Sequence, residues 1–218
     1  MTATNQGSAK TSDAVRVEHG AKRIRAYLGG ELVADTMHPL LVWEHPRYPI
    51  YYFPAEDVRL ELLQPQHYER SSIETIPDAV KLHWDAMDAW FEEDEQVFVH
   101  ARNPYTRVDI LASSRHVGVQ VDGATLAESV KPTLLFETGL PVRYYLPKTH
   151  VTMELLEPSD TVSHCPYKGD AHYWSRQAGD RDVAWSYRTP LPESQKIAGL
   201  ISFYPEKVDV YVDGVQQA

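Results

Sequence analysis

The side chains best suited to chemistry gather in one stretch, Ser163-His164-Cys165-Pro166-Tyr167-Lys168-Gly169, followed closely by His172, Tyr173 and Trp174. Cys165 is the only cysteine, and so the only soft nucleophile, of the 218-residue chain. Nearby His164, Lys168 and His172 supply cations of the kind that lower a thiol's pKa, which makes Cys165 a candidate catalytic residue of a Cys–His pair. Against that stands the ordinary role of a lone cysteine as a small buried hydrophobe. His164, Cys165 and His172 show no recognisable ligand spacing, and a multi-thiolate zinc site is excluded, so no metal is expected. Lys168 makes a more coherent set with the aromatics around it. Tyr167, Tyr173, Trp174, Trp185 and Tyr187 could line a pocket for a planar or anionic small molecule, the lysine giving charge and the rings apolar area. The candidate ligand-binding residues are therefore Cys165, Tyr167, Lys168, His172, Trp174 and Trp185. The same rings would equally fill the core of a small β domain. Tyr173 and Trp174 are adjacent, so in a strand one should point inward and the other outward.

An internal repeat must position these residues. Residues 30–66 align without a gap with residues 123–159, an offset of 93, and 13 of the 37 positions are identical. Glu44 meets Glu137, Tyr51-Tyr52 meets Tyr144-Tyr145, and Pro54 meets Pro147. Two pseudo-equivalent halves of about 93 residues follow. Farther on, Trp84 with Trp185 and Pro104 with Pro205 give an offset of 101, which places about eight added residues in the second copy around residues 165–174. Additions to a scaffold loop cost little stability and often carry binding function. The first copy, with Gln66-His67-Tyr68-Glu69 where the Cys-Pro-Tyr-Lys-Gly stretch should follow, looks reduced to a structural role.

Within each copy, short β-prone runs are broken by Gly, Pro and Asp, the pattern of a mainly β domain. Leu28-Gly29-Gly30-Glu31 and Asp122-Gly123 read as hairpin turns. One segment departs from this. Trp84, Met87, Trp90 and Phe91 recur at a spacing of three and four, which predicts a helix of about four turns entered at Pro77 and ended by a solvated acidic run, Glu92-Glu93-Asp94-Glu95. Residues 190–197 give a weaker, shorter equivalent with Pro192 in its first turn. The expected organisation is a disordered tail over 1–21, a first, degenerate repeat over 22–114 and a second repeat over 115–214. The two repeats are expected to pack as a pseudo-dimer.

A formal charge of −10 argues against nucleic acid as the main partner, since such binding needs clustered Lys and Arg. No run is long and apolar enough for a transmembrane helix, and residues 1–20 lack the apolar core of a secretory signal. Neither membrane association nor export is expected, and the default compartment is the cytoplasm.

The run Leu155-Leu156-Glu157-Pro158-Ser159-Asp160, then Cys165-Pro166-Tyr167-Lys168-Gly169, Ala171, Tyr173-Trp174, Ala184-Trp185-Ser186-Tyr187, Phe203-Tyr204 and Val208-Asp209, resembles the bacterial domain of unknown function 427 family. The resemblance covers the second copy and implies a compact β-rich fold similar to the β-tent of exchange-factor-like and zinc-ribbon-related proteins. It brings no established activity, although the family has also carried a nucleotidyltransferase label. Nucleotidyl transfer needs a phosphate cradle and paired carboxylates for magnesium. No Gly-rich phosphate loop occurs here, and the nearest carboxylate pair, Asp209 and Asp213, runs into an Asp-Gly turn. The leading expectation is thus a small-molecule site in the second repeat. A non-catalytic scaffold, a Cys165-dependent enzyme and a nucleotidyltransferase are the alternatives, and no cofactor motif is recognisable.

Overall fold

The computed structural model describes residues 15–177 and 179–217. The chain is mainly β, in five antiparallel sheets, and helical structure among the described residues is confined to short 3-10 segments, the longest being Pro192–Ile197. No described helix is long and apolar enough to cross a membrane. The chain divides into two compact units between Ala101 and Arg102.

In the first unit one sheet orders its strands as Arg16–His19, Leu40–Trp43, Ile50–Pro54, Ala79–Leu82 and Tyr68–Arg70. A second sheet orders Glu31–Thr36, Ile24–Leu28, Ala89–Glu92 and Glu95–Val97. In the second unit the sheet Ala124–Ser129, Val117–Val121, Asp209–Val212, Val215–Gln217 reproduces the latter. The former is reproduced in pieces: Val108–Ala112, Thr133–Glu137 and Arg143–Tyr145 form one sheet, and an isolated bridge from Leu146 to Ile201 leads to another. That last sheet orders Leu156–Cys165, Gly169–Arg176, Ala184–Tyr187 and Ser202–Phe203.

The offset of 93 is legible in the pairing itself. Arg16 faces Trp43 and Asp109 faces Phe136; Ala34 bridges Val58 and Ala127 bridges Val151. Both first hairpins carry a bulge at the same place, between Ala26 and Tyr27 and between Val119 and Gln120. Gly29 and Gly30 in one turn, Asp122 and Gly123 in the other, all have positive φ, as a two-residue turn matched to the strand twist requires.

Three expectations need correction. The tail proposed for 1–21 lies outside the described residues as far as residue 14, but Arg16–His19 is a strand, held by the register it shares with Leu40–Trp43. Its counterpart Val108–Ala112 pairs with Thr133–Glu137, so the second unit begins before residue 115. The helix over 77–91 is instead a strand, Ala79–Leu82, a 3-10 turn, Trp84–Ala86, and another strand, Ala89–Glu92. Sheet pairing wins over helical spacing because Ala89–Glu92 completes hydrogen bonds on the open edge of Ile24–Leu28 and puts Trp90 into the core. The acidic run is then a hairpin turn with Glu93 at φ 50°, and Glu92 is buried, accepting from the Tyr51 hydroxyl and, at 2.5 Å, from Lys22 Nζ.

The same pairing replaces the offset of 101. Ala26 faces Trp90 where Val119 faces Val210, so the offset has grown to 120 at that strand. What the second repeat gains is a whole β-hairpin, Leu156–Cys165 with Gly169–Arg176, rather than an eight-residue loop.

Candidate functional site

The Cys-Pro-Tyr-Lys-Gly stretch is the turn of that added hairpin. Cys165 faces Gly169, and Lys168 N–H donates to Cys165 O at 3.3 Å. Gly169 sits at φ 90°, a conformation that side-chain-bearing residues rarely adopt. The turn is fastened by its backbone and its tyrosine: Leu191 N–H donates to Lys168 O at 3.1 Å, Ser194 Oγ to Tyr167 O at 3.1 Å, and Asn103 N–H to the Tyr167 hydroxyl at 2.7 Å. Tyr167 therefore anchors the turn.

Lys168 is buried, and its ammonium pairs with the carboxylate of Glu137, which is also almost fully covered. In this arrangement each charge answers the other's desolvation, so Lys168 is not a free cation for a ligand. Around the pair lies a cluster of Leu135, Tyr145, Tyr173, Trp185, Tyr187 and Ile197, with Cys165 half-buried at its edge. Trp185 Nε1 donates to the Tyr145 hydroxyl at 3.1 Å, and the Tyr173 hydroxyl lies 2.6 Å from Ser163 Oγ. Burial pushes the phenols of Tyr145, Tyr187 and Tyr204 well above the ordinary tyrosine range. Ser202, 1 % exposed and facing Trp185 in the sheet, has a hydroxyl with no hydrogen-bond partner.

The remaining residues are distributed differently. Tyr173 and Trp174 are both buried, because the strand Gly169–Arg176 lies between two cores: Ala171 and Tyr173 enter the tyrosine cluster while Trp174 joins Val117, Leu126, Leu146 and Phe203. By alternation His172 belongs to the Trp174 face, away from Cys165 and Lys168. His164 is exposed, its Nδ1 2.6 Å from Asp170 Oδ1. Among the described residues no group of three His, Cys, Asp or Glu side chains is placed to hold a metal. Asp209 accepts from Gln216 Nε2 across its hairpin, and Asp213 accepts from His116 N–H of the neighbouring strand's end at 2.9 Å.

A cleft of about 150 Å³ opens elsewhere in the second repeat, lined by Val142, Arg143, Tyr144, Phe203, Glu206 and Gln217 with their neighbours. Arg143 joins it to the tyrosine cluster. Its guanidinium carbon lies 5.5 Å from the Trp185 ring centre and 5.8 Å from that of Tyr204, and the two rings are 4.3 Å apart. Among the described residues no carboxylate is ion-paired with it.

Residues 16–74 and 109–214 match the model of the Domain of unknown function (DUF427) family. The chain belongs to the DUF427 family. The two matched segments start 93 residues apart, at the two equivalent strands Arg16–His19 and Val108–Ala112, so the DUF427 domain is present twice. No curated protein matches the chain. Within the second DUF427 repeat the structure brings together Cys165, Lys168 and Trp185 of the expected site, uses Tyr167 to fasten the turn that carries the first two, and separates His172 and Trp174 from them. Sequence reasoning passed over Glu137, Arg143, Tyr145 and Tyr204. For Glu137 and Tyr145 a signal existed, since both are identities of the repeat; Arg143 stands against Ile50 and gave none.

Proposed function

We propose that this DUF427 protein is a cytoplasmic small-molecule binder whose second repeat takes a planar acid of single-ring size in the Arg143 cleft. The observation that carries this is Arg143 itself: a guanidinium laid against Trp185 and Tyr204, without a carboxylate ion pair, on the wall of a cleft of about 150 Å³, in a chain of formal charge −10. An arginine so placed presents a rigid fork to a carboxylate while its neighbouring rings offer apolar area. A cavity of roughly 150 Å³ is benzene-sized. Glu206 and Gln217 on the same lining would select against a second acidic group and accept or donate at the ligand's far end. Lys168, which the sequence suggested for the charge, holds the hairpin turn over the cluster behind this wall instead.

The test is titration with benzoate, followed by indole N–H resonances and tryptophan fluorescence. Saturable change at Trp185 is expected, and Arg143→Ala should weaken it about tenfold or more, the usual worth of a charge-assisted hydrogen bond. A scaffold without a ligand site would show no saturation. Unchanged affinity in Arg143→Ala would defeat the assignment of the acid to this residue.

A further inference from the structure

The cleft of the second repeat has a counterpart in the first, built at the same place from different chemistry. A cavity of about 250 Å³ is lined by Tyr48, Ile50, Tyr51, Leu82, Trp84, Trp90 and their neighbours. Tyr48 to Tyr51 stand 93 residues before Pro141 to Tyr144, which line the other cleft. Leu82 occupies the strand position of Phe203, and Trp90 that of Val210. The fold therefore makes this hollow twice.

Substitution has changed its content in one direction. Ile50 stands where the second repeat has Arg143, so the free guanidinium is gone. Lys81 also lines the cavity, but its ammonium is held by Glu44 at 2.8 Å. In exchange the walls have gained flat rings. Trp84 stacks on Trp90 with centroids 4.6 Å apart and planes 3° apart, and Tyr48 stacks on His100 at 3.8 Å and 11°. Asp85, at the position of Glu206 in the second repeat, keeps an exposed carboxylate on the lining.

His100 also supplies an acceptor. Its Nδ1 lies 2.8 Å from Ala101 O, and a carbonyl oxygen only accepts, so Nδ1 carries the proton. Burial, with His45 nearby, holds the ring's pKa below the ordinary histidine range and keeps it neutral. Nε2 is then the acceptor nitrogen.

We infer that the first repeat carries a second small-molecule site, for a flat bicyclic heteroaromatic that is neutral or cationic and bears an N–H donor. The volume exceeds what a single ring fills, the stacked walls favour a flat π-face, and the polar groups offered, His100 Nε2 and Asp85, accept rather than donate. This site is separate from the Arg143 cleft and selects the opposite charge.

The experiment titrates the whole chain with benzimidazole and, separately, with benzoate, reading the indole N–H resonances of the five tryptophans. Benzimidazole should shift Trp84 and Trp90 saturably and leave Trp185 in place. His100→Phe, which keeps the ring stack but removes the acceptor, should weaken benzimidazole about tenfold. Trp84→Leu should abolish the response, and Arg143→Ala should leave it unchanged. Absence of saturation at Trp84 and Trp90 in the wild-type chain would overturn the inference without any variant being needed. Full affinity in His100→Phe would overturn it too. Loss of benzoate binding alone would leave this site standing, as loss of benzimidazole alone would leave the Arg143 cleft.

Discussion

Glu137 takes the ammonium of Lys168 at the position where Glu44, 93 residues earlier, takes that of Lys81. The carboxylate is an identity of the repeat; the lysine is not. Lys81 comes from the strand Ala79–Leu82, and its counterpart in the second repeat is Ser202, whose hydroxyl is buried without a partner. The second repeat draws its lysine instead from the turn of the added hairpin. The hairpin, which pairs by its own strands with Ala184–Tyr187, is thereby tied by a charge to the separate sheet of Thr133–Glu137.

Breaking that pair should be costly. Lys168→Met is expected to lower unfolding free energy by about 3 to 5 kcal/mol, because it leaves Glu137 charged and buried, whereas Lys168→Met with Glu137→Gln should recover most of it. Lys81→Met, at a more exposed pair, should cost about 1 kcal/mol or less. Urea unfolding measures all three, and equal costs for the two single variants would contradict the difference in burial.

Trp90→Ala should cost about 3 to 5 kcal/mol, since the ring is 3 % exposed and packs on Trp84, Phe53 and Tyr51. Denaturant titration with near-ultraviolet circular dichroism gives the number. A change under about 1 kcal/mol would place the ring outside the core.

Gly169→Ala should destabilise by roughly 1 to 2 kcal/mol, from the φ of 90° that the turn imposes rather than from crowding, since the added Cβ would sit 3.6 Å from its nearest neighbours. Thermal unfolding of Gly169→Ala beside Gly169→Asn would separate the two causes, because Asn tolerates positive φ better but is larger. A milder effect for Asn supports the backbone explanation.

Alkaline pH should unfold the protein through its phenols. Tyr52, Tyr145, Tyr187 and Tyr204 have folded pKa values raised above the unfolded value of about 10, chiefly by burial. Their contribution to stability is complete below pH 10 and is lost as pH rises above it, because the unfolded chain releases those protons first. Absorbance at 295 nm should show these four of the 13 tyrosines ionising only with the cooperative loss of structure. Smooth titration of every phenol before unfolding would contradict their burial.

Much of the fold was legible because its information is local and repeated. The offset of 93, the Gly29-Gly30 and Asp122-Gly123 turns and the strand-ending Pro54 and Pro147 lie in short stretches whose backbone preferences are set by the residues themselves. The added segment of the second repeat could be located as well, although as a loop around Cys165 rather than as a hairpin.

What only the tertiary structure decided was partnership. Trp84, Met87 and Trp90 satisfy helical spacing, and they form a turn and a strand because the edge of Ile24–Leu28 offers hydrogen bonds that an isolated segment does not have. Lys168 reads as a free cation until Glu137, 31 residues away, is brought against it, and Trp174 and Trp185 read as one aromatic wall until the sheet assigns them to opposite cores. Sequence by itself determined the repeat, the β class and the family, since each follows from residue types at fixed spacing. Which charges are spent, which rings share a core and which hollow is left open depend on contacts between distant segments, and chain closure sets those.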